Sequence, residues 1–392
     1  MVAETARKFE ALEAQAQRLM GVFTRAGYEA VAPAIIQPAD VFLDVVGESL
    51  RARTYVFTDP DGQELCLRPD LTVPTCRLHL ERHTEANVAA RYCYNGPAFR
   101  FQPAGASAAH PREFRQAGIE FFAEKDREKA EIEVVALISE ALRAAGLERF
   151  RLKIGDLGLF HALLEGVAIP ARWRERLRHH FWRHEGFRAE LKRLTSNPAE
   201  ALEDLPAELI AALDPDDVQG AELLVDRYFE RQGLGLIGVR TVTEIASRLC
   251  ATVADAKSAP MSPDSAELIE AYLSVDAPAP AAGGQLAGLL RRGGVDLGQA
   301  LETYHRRLQL LAAAGIDTSL VQFQAEFGRD LEYYTGFVFE VVVPGFGTQS
   351  PIAGGGRYDG LLKAVGAPED VPAVGSMIHT ERLLSAANGA RA

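Results

Sequence analysis

The strand-forming segments of this 392-residue chain fall into two groups, separated by more than a hundred residues of helical pattern. Such a chain must close one sheet across a helical insertion, or else build two separate sheets. The first group begins after an amphipathic segment in which Phe9, Leu12, Leu19, Met20 and Phe23 recur at helical spacing and Gly27 supplies a stop. An extended stretch follows at 28–33. The run TYVFTDPDGQELCLRP then predicts a β-hairpin around Asp59-Pro60-Asp61-Gly62. Further strands are expected at 90–94 and 119–122. A helix is expected at 131–146, then a strand in RLKIGD that yields to a helix capped by Asp156.

From about 167 to 284 the β signals largely vanish, and the stretch closes on APAPAAGG, which is linker-like in composition. The strands then resume. Val321, Phe323, Ala325 and Phe327 alternate with Gln322, Gln324 and Glu326, and FVFEVVV at 337–343 has the composition of a buried central strand. The expected fold class is α+β, a mainly antiparallel sheet flanked by helices and interrupted by a helical insertion at about 167–284.

Composition narrows the function classes. With 47% hydrophobic and 24% charged residues the chain can bury one large core or two modest ones. No apolar run is long enough for a membrane span and no leader pattern opens the sequence, so a cytoplasmic protein without membrane contact is expected. The four cysteines, Cys66, Cys76, Cys93 and Cys250, show no CxxC pair or histidine spacing. They predict buried thiols, no metal and no cofactor. The net charge of −12 argues against a broad phosphate-binding face. The basic run at 171–194 is a local exception, with Trp173, Leu177 and Phe181 as its apolar stripe; a solvated amphipathic face is the preferred reading, an RNA or partner contact the alternative.

Two segments carry candidate chemistry. In YNGPAFRFQPAGASAAHPREFRQAGIEFF, two strands joined by a Gly/Ala/Ser-rich loop bring Arg100, Arg112, Gln116 and Glu120 to one mouth. LRPDLT, which carries Asp70 and Thr72, reads on its own as an ordinary turn, though a carboxylate and a hydroxyl are chemically adequate for an ammonium group.

These segments resemble the signature motifs of class II aminoacyl-tRNA synthetases, and specifically the histidine branch. The first is similar to motif 2, where the counterpart of Arg100 holds the ATP α-phosphate, and LRPDLT is similar to LRPEGT, which holds the amino acid's ammonium. FGRDLEYYTGFVFEV resembles the histidine-specific VRGLDYYNRTVFE, and PIAGGGRYDGLL the AGGRYDGL turn, after which a helix is expected near Tyr358. AVGSMIHTERLL resembles motif 3, with Glu381 and Arg382 kept. The resemblance implies a histidine shell of Asp70, Thr72, Gln116, Glu120, Arg329 and Tyr334, with Arg112 and Tyr333 as second choices. It also implies a vestigial nucleotide site at Arg100 and Arg382, and no catalytic residue.

The departures from the family pattern matter. Leu71 and Asp330 stand at glycine positions, Gln102 replaces a glutamate, and His379 and Thr380 replace a glycine and a leucine in motif 3. An imidazole at 379 obstructs the place of the adenine base. Little sequence follows motif 3, so no anticodon-binding domain is expected. The resemblance covers two kinds of protein, the histidyl-tRNA synthetases and the synthetase-like regulatory subunits of ATP phosphoribosyltransferase, and the departures favour the second. That reading implies a short catalytic ATP phosphoribosyltransferase subunit as partner, a homodimer of this chain involving the N-terminal helix and the segment near Pro33, L-histidine as ligand and no tRNA. The alternative is a synthetase-like enzyme that activates an amino acid with ATP.

Overall fold

A computed structural model describes residues 5–43, 48–107, 110–202, 205–233, 241–328, 333–345 and 351–389. The chain divides into two compact units, one formed by Met1–Leu163 with Tyr272–Ala392, the other by Leu164–Ala271.

The first unit holds twelve strands among the described residues: β1 (Glu29–Ala30), β2 (Ile36–Pro38), β3 (Tyr55–Thr58), β4 (Glu64–Leu67), β5 (Ala90–Phe99), β6 (Glu113–Phe122), β7 (Arg151–Asp156), β8 (Asp276–Pro278), β9 (Val321–Gln324), β10 (Phe337–Val342), β11 (Ala353–Arg357) and β12 (Ala373–His379). Nine form one sheet in the order β1-β5-β6-β12-β11-β10-β7-β9-β8; β2, β4 and β3 form a small separate one. Pairing in the large sheet is antiparallel except at β1–β5 and β7–β9. The two groups of strands therefore do close one sheet, and the fold is the expected α+β class.

Local chemistry explains the elements. Thr5 caps the helix Ala6–Arg25 by accepting from the Lys8 N–H, and Leu12, Leu19, Val22 and Phe23 bury its inner face. Phe9, which the spacing assigned to that face, is exposed. The β3–β4 hairpin turns at Asp59, whose Oδ1 accepts from the Asp61 and Gln63 N–H groups. The helices Arg127–Ala144 and Gly298–Ala313 pack together. Between them lies a buried ionic chain: Arg307 donates to Glu131 and Asp156, and Arg357 donates to Glu131 and Asp359.

Two expectations need correction. The linker-like APAPAAGG is structured: Asp276–Pro278 is β8, paired with β9, and Ala279 opens a helix that runs to Gly293 with Pro near its start, where the missing N–H costs nothing. The insertion therefore ends before residue 284. Likewise AGGGR is no turn but strand β11, and the next helix starts at Leu361 rather than near Tyr358. Glycine is needed there because the strands crowd; a Cβ on Gly355 would lie 2.1 Å from the Gly375 carbonyl oxygen.

The helical unit has its own apolar cluster of Leu209, Leu213, Ala221, Val225, Ala246 and Cys250. Its basic segment is only in part the solvated face that was expected: Trp173, Leu177 and Phe181 are buried, Arg172, Arg176 and Arg193 turn to a buried acid, and Arg183 and Arg188 are exposed. Asp255, fully buried, accepts from Arg172 at 2.7 Å and from the Trp173 indole, and pairs with Arg176 and Arg193. Burial alone would raise the Asp255 carboxyl, but these donors hold it below the usual range. Arg174 and Arg178 both reach Glu165.

Candidate functional site

The β6–β12 register sets Gly375 opposite Glu120 and His379 opposite Gln116. On this part of the sheet lies a small cavity, whose empty space including the open mouth is about 300 Å³. Asp70, Thr72, Arg100 and Gln116 line one part of it. Tyr333, Tyr334 and Tyr358 line another, and Gly354, Gly375, Ser376 and Met377 complete it.

Asp70 precedes the helix Thr72–Arg82, and its Oδ1 accepts from the Val73 N–H at 3.2 Å, serving an end that Leu71 cannot cap. Its Oδ2 is buried with no partner. Burial raises the Asp70 carboxyl, opposed by the Arg100 charge and by the Val73 and Thr72 N–H groups. Gln116 is fully buried, and neither its Nε2 nor its Oε1 has a partner. Buried polar atoms are normally satisfied, since an unmet donor or acceptor costs about 1–3 kcal/mol. Three such atoms on two residues of one cavity describe a place for a polar ligand.

Glu120 lies beneath them, 0% exposed. Its Oε1 accepts from the Tyr94 hydroxyl at 2.9 Å and its Oε2 from the Tyr358 hydroxyl. The carboxylate rests against the backbone of β12: a Cβ on Gly375 would lie 1.6 Å from Oε2, so only glycine fits. Burial pushes the Glu120 carboxyl up to about 7, opposed by hydrogen bonds from Tyr358, Thr72 and Tyr94, while the Asp70 charge adds to the rise. Tyr333 and Tyr334 pack with ring centroids 4.9 Å apart, and Tyr358 stands edge-on to both.

Of the residues singled out in the sequence, Asp70, Thr72, Arg100, Gln116, Tyr333 and Tyr334 converge on this cavity; Glu120 is not among the lining residues but lies against two of them, Tyr358 and Gly375. Arg112 does not join them: its side chain is exposed, and it contributes a carbonyl that accepts from the Arg100 N–H. Arg382 donates to the Pro351 carbonyl at 3.1 Å and is not among the lining residues. Arg329, with Asp330, lies outside the described residues. Tyr94, Tyr358, Gly375 and Ser376 were missed. Tyr94 and Tyr358 stand inside the quoted motifs, but only the register shows that both reach one carboxylate.

At the place the resemblance gives the nucleotide, Phe114 meets both Arg100 and His379. The Arg100 guanidinium lies over the Phe114 ring at 5.1 Å, and the His379 ring lies 5.2 Å from Phe114. Arg100 Nε also donates to the Pro69 carbonyl.

The family model described as histidyl-tRNA synthetase matches residues 4–228 and 250–383. Among curated proteins, the ATP phosphoribosyltransferase regulatory subunit of Mesorhizobium japonicum is 34% identical over 380 residues, covering 96% of this chain and 97% of the relative. That of Rhizobium meliloti is 35% identical over 387 residues, covering 97% and 98%. The chain belongs to the histidyl-tRNA synthetase-like family of ATP phosphoribosyltransferase regulatory subunits.

Solved structures of this family share its fold. A Bacillus halodurans protein titled as an ATP phosphoribosyltransferase regulatory subunit/histidyl-tRNA synthetase superposes with a TM-score of 0.70 at 22% identity, covering 99% of this chain and 82% of that one. A histidine–tRNA ligase subunit from Alicyclobacillus acidocaldarius superposes with a TM-score of 0.61 at 23% identity, covering 100% and 97%. The cavity is lined by residues of the segments quoted from the sequence. Among the described residues no helix is long and apolar enough to cross a membrane, and no three His, Cys, Asp or Glu side chains are grouped to hold a metal.

Proposed function

We propose that this chain is a non-catalytic regulatory subunit that binds L-histidine in the cavity over Glu120 and passes that state to a short catalytic ATP phosphoribosyltransferase subunit. Bound histidine inhibits the partner; association without histidine activates it. The observation that carries the reading is the set of unpartnered buried atoms, Asp70 Oδ2 with Gln116 Nε2 and Oε1, above a buried carboxylate. The ammonium goes to Asp70 with Thr72, and the imidazole lies among Tyr333, Tyr334 and Glu120, which has lone pairs left for a ring N–H. The resemblance assigns Arg329, outside the described residues, to the same shell. Coupling of the usual size, about 1–3 kcal/mol, requires histidine to bind the inhibited assembly about 5–150-fold more tightly.

The partner follows from the relatives, named as regulatory subunits of that enzyme. Self-association is supported by exposed Ile35, Ile36, Val56, Phe57 and Phe101 on and beside the small sheet. Against tRNA stands the inward pairing of the basic helix. A cytoplasmic location belongs to the same reading.

The deciding experiment mixes the protein with a short-form catalytic subunit and measures phosphoribosyltransferase activity with and without histidine. Activation followed by histidine inhibition is expected; no activation sinks the proposal. The family model's synthetase description keeps a second reading open, amino-acid activation by ATP. It requires histidine-dependent exchange between ATP and pyrophosphate, which the contacts of Phe114 with Arg100 and His379 argue against.

A further inference from the structure

Among the described residues, the groups packed around Glu120 other than Asp70 keep their protonation near neutrality. Tyr94 on β5 and Tyr358 after β11 donate to its two oxygens, and both phenols are pushed well above their ordinary range by burial and by the Glu120 charge. Cys76, on the helix Thr72–Arg82, is held as a neutral thiol by burial and by the charges of Glu120 and Asp70. Thr72 on that helix and Gly375 on β12 do not titrate. Arg100 and Arg68 act on Asp70, and neither guanidinium bonds to Glu120. Among these neighbours only Asp70 and Glu120 change charge easily, and Asp70 has its own cation in Arg100.

Among the described residues Glu120 is a buried carboxyl without a cation, on the same strand as Gln116 with its orphaned amide. A neutral ligand leaves that charge uncompensated, and a permanent cation meets a protonated acid in mildly acidic solution. An imidazole is neither, since it titrates near 6.5.

We propose that ligand binding here is linked to a proton: L-histidine is held with one proton shared between the Glu120 carboxyl and the imidazole, so affinity peaks near neutral pH and falls on both sides. The proposal rests on the histidine reading of this site. In the complex the proton lies on the imidazole nitrogen facing Glu120 or on the carboxyl itself, one proton for two basic atoms. At alkaline pH both partners arrive deprotonated and the complex takes a proton from solution. At acidic pH both arrive protonated and one proton is released.

The test is calorimetric titration of the full-length protein with L-histidine at pH 5, 7 and 8.5, repeated in buffers of different ionisation enthalpy to count protons. Expected are net uptake at pH 8.5, net release at pH 5, and affinity about tenfold weaker at each than at pH 7. Glu120→Gln should abolish the proton exchange; Asp70→Asn should weaken binding but keep it. Binding with no proton exchange and a flat affinity from pH 5 to 8.5 would overturn the linkage and leave histidine as the ligand. No binding heat at any pH, with the fold intact by circular dichroism, would overturn both.

Discussion

Two groups of buried acids lie in the same unit, and they are treated in opposite ways. Glu131 accepts from Arg307 and Arg357, and Asp156 from Arg307, so each buried anion meets a buried cation. Glu120 meets only hydroxyls, those of Tyr94, Tyr358 and Thr72, and Asp70 keeps a free buried oxygen. Burial raises both glutamates' carboxyls. At Glu131 the two guanidinium charges reverse the shift and hold it below the usual range; at Glu120 burial wins. A saturated cluster spends its polar capacity on the fold, whereas an unsaturated one leaves capacity for something absent from the chain. The same contrast separates the cavity from Asp255 in the helical unit, where four side chains converge on one carboxylate.

Removing the hub of the saturated cluster should have the largest effect. Arg307→Ala leaves Glu131 short of a partner and Asp156 without its guanidinium, which for a broken buried pair costs about 3–5 kcal/mol. Urea unfolding of the variant would show it, and Arg307→Lys should recover part of the loss. A loss under about 1 kcal/mol would mean that the chain of charges is not the structural cluster described here.

Next in size is a difference in sign. Glu120 holds its proton more tightly folded than unfolded, so its contribution to stability is highest below about pH 4.5 and declines until pH passes about 7. The full loss is up to about 3 kcal/mol. Glu131, with a depressed folded value, contributes stability above its unfolded range and loses it as pH falls. Glu120→Gln should therefore gain on the wild type as pH rises from 4.5 to 7, on top of a constant offset from the altered tyrosine hydrogen bonds. Unfolding free energies measured at several pH values would check it; a pH-independent difference would show that Glu120 titrates normally. The same variant should abolish histidine feedback in the reconstituted assembly.

The sequence showed which segments meet at the site far better than how they meet. Asp70, Thr72, Gln116, Tyr333 and Tyr334 sit in motifs whose residue types and family likeness mark them, and all reach one cavity. Tyr358 and Gly375 were not legible as site residues, because their roles arise from strand register: Gly375 faces Glu120 only once β12 pairs with β6. The glycines of β11 suggested a turn by composition, yet they serve close strand packing. The basic helix misled for a similar reason. The carboxylate that neutralises Arg172 lies 83 residues later, beyond the reach of any local pattern.

The smallest effect tests the saturated cluster from its own edge. Arg306 and Arg307 are adjacent on one helix and both pair with acids of the helix region beginning at Asp126, but their side chains are 48% and 8% exposed. Arg306 pairs with Asp126 and Glu128 at the surface, where screening and side-chain entropy cancel most of the attraction. Arg306→Ala should cost less than about 1 kcal/mol, and most of that should vanish in 1 M salt, where the Debye length falls to about 3 Å. The loss from Arg307→Ala should survive the same salt, because ions do not enter a closed cluster. Equal losses at the two positions, or equal salt sensitivity, would show that burial does not separate the neighbours, and the contrast between saturated and unsaturated acids would lose its physical basis.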